Sequence, residues 1–154
     1  MSDDAKDIFI SYNWAIKEQV KQLYDILTEN NKYKVWMDDK DLETSNKPLT
    51  SQLGTNILKS KLFLCCITEE YCKSYNCNLE IEYANSKGKS VIPLMIEKIS
   101  KIEEIKVNGR DHESGVDFII NSWTRLNCYK DSNWPIDKKT EILNSIETCL
   151  KVSV

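Results

Sequence analysis

One histidine, four glycines and three prolines in 154 residues leave several functional classes without the parts they need. The only histidine, His112, lies in a polar, loop-like stretch, which speaks against a Cys–His catalytic pair. Six cysteines stand at 65, 66, 72, 77, 128 and 149, and no two have C-x-x-C spacing. With one histidine and no such pair, a zinc site is not expected, and no other metal is assigned. So few glycines and prolines leave no composition for a flexible linker, and one domain over residues 1–154 is expected. No apolar run reaches the length of a membrane span, and the opening MSDDAKD lacks a signal-peptide pattern. The expectation is a cytoplasmic protein with reduced thiols and no membrane contact. A net charge of −3, with lysines scattered among acids, gives no basic stripe for nucleic acid. No G-x-G-x-x-G follows the first apolar run, and no G-x-x-x-x-G-K-[ST] occurs anywhere.

What is present is a sequence of short apolar runs separated by amphipathic stretches. Residues 7–12, 34–38, 61–67 and 90–96 read as strands, rich in β-branched and aromatic side chains. Residues 125–128 read as a fifth, short edge strand. Between them Ile16, Val20, Leu23 and Leu27 recur at helical spacing, as do Leu49, Leu53 and Ile57. Val116, Ile119, Ile120 and Trp123 mark a short helix, and Ile142, Leu143, Ile146 and Leu150 a last one. Cys65 and Cys66, inside an unbroken apolar run, read as small core residues, and Trp36 reads as core. Unbroken apolar strands alternating with helices predict a parallel sheet covered on both faces. In such sheets ligands gather at the carboxyl ends of the strands. A phospho-accepting receiver needs acids after the first and third strands, where this chain has Tyr12, Asn13 and Thr68.

The stretch 74–93 carries the most information. Leu79, Tyr83 and Ala84 are predicted to share a helix face, Gly88 to end that helix, and 90–96 to return as a buried strand. Glu80 and Glu82 ride on this helix. By spacing alone both read as solvated surface carboxylates.

Four motifs in order are similar to those of one family. They are FISY at 9–12, VWMD at 35–38, the run 62–68 followed by Tyr71, Ser74, Cys77 and Glu80, and GKSVIP at 88–93. Together they resemble a Toll/interleukin-1 receptor (TIR) domain over about residues 7–150. The resemblance implies an α/β, flavodoxin-like fold, a five-stranded parallel sheet with helices on both faces. It also implies one of two functions. Some TIR domains assemble with other TIR domains as non-catalytic adaptors, through the loop after the second strand. Others hydrolyse NAD+ at the nicotinamide–ribose bond, using a glutamate in the helix after the third strand and NAD+ as substrate rather than cofactor.

Counted back from Gly88, the position that matches that glutamate is Glu80, three residues after Cys77. One carboxylate suits the reaction. Nicotinamide leaves NAD+ neutral and needs no general acid, while the ribose passes through an oxocarbenium-like state that an anion stabilises. Tyr12 and Trp14 leave the first strand at the ligand edge and are the candidate stacking faces for the nicotinamide ring. Ser11, Asn13 and Asp38 are candidate polar contacts to ribose or phosphate, and Lys47 a candidate phosphate contact. The sequence also departs from both kinds of relative. The loop has Thr44, Ser45, Asn46 and Lys47 where NAD-cleaving relatives often have a glycine and an aromatic, and Pro48 is not followed by the glycine common in adaptors.

Overall fold

The computed structural model describes residues 5–37, 49–109, 113–129 and 133–152, side chains excepted at 49–53 and 152. Asp38, Lys47 and His112 lie outside the described residues. The strands are β1 Lys6–Ser11, β2 Val35–Met37, β3 Ser60–Ile67, β4 Ser90–Met95 and β5 Leu126–Asn127. They form one parallel sheet in the order β2-β1-β3-β4-β5. The helices are α1 Lys17–Thr28, α2 Leu49–Lys59, α3 Glu69–Lys73, α4 Tyr75–Ser86, α5 Val116–Ile120 and α6 Lys139–Val152. This order reverses direction between β1 and β3, the point at which ligands of such sheets bind beyond the carboxyl ends of the strands.

Alternation along each strand sorts side chains into two cores. Ile8, Ile10, Leu62, Leu64 and Cys66 face α1 and α6, meeting Val20, Leu23, Leu27, Ile142 and Ile146. Phe9, Phe63, Cys65 and Ile67 face the other way, meeting Ile57 of α2, Tyr71 of α3, Ile81 and Ala84 of α4 and Ile119 of α5. On this second face the Phe9 ring stacks on Trp36 at 4.8 Å and on Phe63 at 5.5 Å. The register Phe9↔Trp36 and Phe9↔Phe63 places the three rings side by side across three strands.

The ends of the elements follow local chemistry. Asn30 and Asn31 take positive φ after α1, a conformation asparagine tolerates better than most residues. Gly88, at φ +71°, ends α4. Its N–H bonds the Asn85 carbonyl at 3.1 Å and the Lys89 N–H bonds the Ala84 carbonyl at 3.1 Å, which closes a Schellman cap. The space around Gly88 is open, so a methyl group there meets no neighbour and only the left-handed backbone resists it. Gly88→Ala is therefore expected to cost about 1–2 kcal/mol, read as a lower urea midpoint at unchanged m.

Some boundaries differ from the sequence reading. β1 stops at Ser11, so Tyr12 follows the strand rather than ending it. Residues 69–73, to which the sequence reading gives no element, form α3, because the Thr68 hydroxyl accepts from the Tyr71 N–H at 3.0 Å and starts a helix. The fifth strand has two residues and pairs only with Leu94 and Met95. The charged stretch after β4 folds onto the sheet through buried Ile102 and Val107, with a 3₁₀ turn at Ile102–Glu104. The six cysteines are free thiols, all buried but the half-buried Cys149. Burial, with Asp117, Glu69 and Glu97 nearby, pushes the Cys72 thiol up to about 12, so it stays protonated and inert at neutral pH. Among the described residues, no helix is long and apolar enough to cross a membrane.

Candidate active site

The turn that joins α3 to α4 lies at the carboxyl ends of β1 and β3. Ser74 closes one helix and opens the next: its N–H bonds the Tyr71 carbonyl at 3.1 Å, and its hydroxyl accepts from the Cys77 N–H at 3.2 Å. The apolar stripe of α4 is Cys77, Ile81 and Ala84, one turn or two apart, and it lies on the second core. At about 100° per residue, Glu80 falls on one flank of this stripe and Asn78 on the other. Both are buried, Glu80 at 5% exposure. Leu79 and Tyr83, expected on the core face with Ala84, are half-buried on the side of α4 away from this stripe, and the Tyr83 ring sits 3.7 Å from where a Cβ on Gly54 would stand.

Glu80 reaches the end of β1. The Ser11 hydroxyl donates to its Oε1 at 2.5 Å. The Tyr71 hydroxyl lies 2.7 Å from the same Ser11 Oγ. Burial pushes the Tyr71 phenol well above its ordinary value, Cys65, Cys77 and Glu80 push it further, and its bond to Ser11 offsets part of that. The Cys77 thiol donates to the Tyr12 carbonyl at 3.5 Å and ties the first turn of α4 to the same strand end.

On the other flank Asn78 is a clasp. Its Nδ2 donates to the Cys72 and Ser74 carbonyls, each at 2.8 Å, and its Oδ1 accepts from the Ser114 hydroxyl at 2.8 Å. Ser114 in turn accepts from the Val116 N–H at 3.2 Å, so one amide side chain joins α3, α4 and the start of α5. Asn78→Ala removes three bonds and strands buried partners, an expected loss of about 3 kcal/mol. Thermal denaturation of the variant checks it.

The candidates from the sequence now separate. Ser11 and Glu80 meet. Tyr12 is 3% exposed, with its ring in the core toward α1, so packing accounts for it and it offers no stacking face at Glu80. Trp14 is 49% exposed, with the Lys17 ammonium 4.7 Å from its ring centroid. Asn13 caps the turn at Trp14–Ile16 by accepting from the Ala15 N–H at 3.0 Å. Trp36 is core, as expected. Glu82, expected to be solvated, is half-buried, its Oε2 3.6 Å from where a Cβ on Gly115 would stand. Sequence reasoning gave no role to Tyr71 or Asn78; both are polar residues inside apolar helix faces, which is the signal it passed over. A cavity of about 460 Å³ lies at the opposite end of the sheet, lined by Ser90, Ile92, Trp123 and Cys149 among others, and it holds none of the candidates. Among the described residues, no group of three or more His, Cys, Asp or Glu is placed to hold a metal ion.

A family model described as TIR domain matches residues 8–124. The chain belongs to the TIR domain family. Its fold is similar to the TIR domain of the Toll-related receptor TRR-2 from Hydra magnipapillata, with a TM-score of 0.68 at 15% identity, covering 93% of this chain and 99% of that one. It is also similar to a prokaryotic SEFIR domain, with a TM-score of 0.53 at 18% identity over 92% of each chain. The TIR domains of the activated Roq1 resistosome, which directly recognises the pathogen effector XopQ, match with a TM-score of 0.50 at 21% identity, covering 97% of this chain and 84% of that one. At such identities these likenesses speak to the fold. A comparison with curated proteins gives no match. In this TIR domain α3 follows β3 and α4 follows α3, and Glu80 is the carboxylate that α4 brings to the end of β1.

Proposed function

We propose that this TIR domain hydrolyses NAD+ to nicotinamide and ADP-ribose, with Glu80 as the catalytic carboxylate. The supporting observation is a glutamate 95% removed from solvent yet held at the carboxyl end of β1, beside the switch point where ligands of this architecture sit. A buried carboxylate is costly, so one that the chain keeps in such a place and engages by hydrogen bonding is a candidate for function. The C1′–N bond breaks and its electron pair leaves with nicotinamide, which departs neutral. The carboxylate faces the cationic ribose, then accepts a proton from the water whose oxygen bonds C1′. The test is nicotinamide release by the purified protein at high concentration, followed by chromatography, against Glu80 variants. No turnover at any concentration would overturn the reading.

A second reading is a non-catalytic adaptor that pairs with other TIR domains in immune or stress signalling. It draws on the missing glycine and aromatic at 44–47 and on the assembled state of the Roq1 relative. Substitution of Lys47 or Pro48 then abolishes partner capture, while Glu80→Ala leaves signalling intact. Loss of signalling in Glu80→Ala rules the pure adaptor out.

A further inference from the structure

We infer that Tyr71 is a positioning residue for Glu80, acting through Ser11; its catalytic meaning rests on the hydrolase reading above. The argument is one of proton count. A serine hydroxyl has one proton to give. Ser11 gives it to Glu80 Oε1 at 2.5 Å, so the 2.7 Å contact with Tyr71 runs from the phenol into the Ser11 oxygen. Tyr71 is fully buried and keeps its proton, so it remains a donor across the working pH range. The three groups form a chain that donates one way, Tyr71 to Ser11 to Glu80. Each bond polarises the next, and the polarisation favours the ionised carboxylate.

Each link comes from a different element. Tyr71 is set by the Thr68 cap of α3, Ser11 by the alternation of β1, and Glu80 by the flank of α4. The titratable neighbours that act on Tyr71 are Cys65 from β3, Cys77 and Glu80 from α4, and the two thiols are buried. Tyr71 therefore does more than fill space. It fixes the direction of the Ser11 hydroxyl, and so the orientation and charge of the carboxylate.

The experiment compares the full chain with Tyr71→Phe, Ser11→Ala and Ser11→Thr. Phenylalanine keeps the ring, so the fold is retained and only the donor is lost. Tyr71→Phe is expected to lower kcat about 5- to 10-fold at unchanged KM, the scale of one hydrogen bond, and to move the acid limb of kcat to higher pH. Ser11→Ala is expected to lower kcat about 10- to 100-fold, the scale of a bond to a charged group, and Ser11→Thr to restore most of it. A second readout needs no turnover. The ¹³C carboxyl resonance of Glu80, assigned by its absence in Glu80→Gln, titrates at higher pH in Tyr71→Phe than in the unaltered protein. If that midpoint moves while no protein releases nicotinamide, the hydrolase reading falls and the role of Tyr71 stands. If turnover is present and both midpoint and acid limb stay put in Tyr71→Phe, the role of Tyr71 is overturned and the hydrolase reading stands.

Discussion

Glu80→Gln is expected to reduce nicotinamide release at least about 10³-fold while leaving the domain folded. Removing one preorganised electrostatic group from a water-poor site costs about 10²–10³ in rate, and here the group removed is the only carboxylate assigned to the reaction. Glutamine has nearly the same shape and keeps an oxygen that can accept from Ser11, so the contact to β1 persists. Burial of a neutral amide is also less costly than burial of a charge, which offsets part of any lost interaction, so the domain should stay folded. The pairing of lost activity with retained stability is the informative result, because natural sites commonly give up stability for chemistry. Glu80→Ala is the harsher variant: it strands the Ser11 hydroxyl and opens a void, so it should lose both. Wild-type turnover in Glu80→Gln removes Glu80 from the mechanism. A collapse of Glu80→Gln on heating marks the residue as structural instead.

Phe9→Ala is expected to destabilise the domain by about 4–5 kcal/mol, the largest stability effect among these variants. The ring is fully buried at the centre of the sheet and stacks on two partners, Trp36 and Phe63. Truncating a buried phenylalanine costs about 3–5 kcal/mol through lost transfer and the cavity left behind, and aromatic pairs add about 0.5–1.5 kcal/mol. The parallel strands on either side fix the backbone, so the site has little freedom to collapse into the void. Against a total of about 5–15 kcal/mol, the variant should be partly unfolded at 37 °C. Urea denaturation followed by tryptophan fluorescence measures it. Trp14→Ala is the contrast: that indole is 49% exposed and its removal, with the Lys17 contact, should cost about 1 kcal/mol. A loss below about 1.5 kcal/mol for Phe9→Ala would contradict the stacked arrangement.

The two variants illustrate what was legible beforehand. The strands read cleanly because a parallel strand buried on both faces must be apolar along its length, and 62–67 shows this without interruption. Gly88 read cleanly because a left-handed cap selects glycine on local grounds alone. Tyr12 misled. An aromatic at the end of a strand looks the same in sequence whether it turns toward a ligand or into the core, and here alternation along β1 sends it into the core toward α1. Glu80 misled in the opposite sense. Spacing alone put it on a solvated helix surface, and the partner it meets inside, Ser11, lies 69 residues away. Asn78 was passed over for the same reason, since its acceptors and its donor come from three different segments.

By itself the sequence determined the alternation of strands and helices, the parallel sheet and the motifs that mark the family. All of these arise from patterns within a few residues, where periodicity, capping and turn geometry act. Only the tertiary structure decided which polar groups are buried and what each one meets. That choice depends on the two faces of the sheet and on the helices that cover each of them. It put Ser11 rather than Tyr12 beside Glu80, and set Tyr71 behind both.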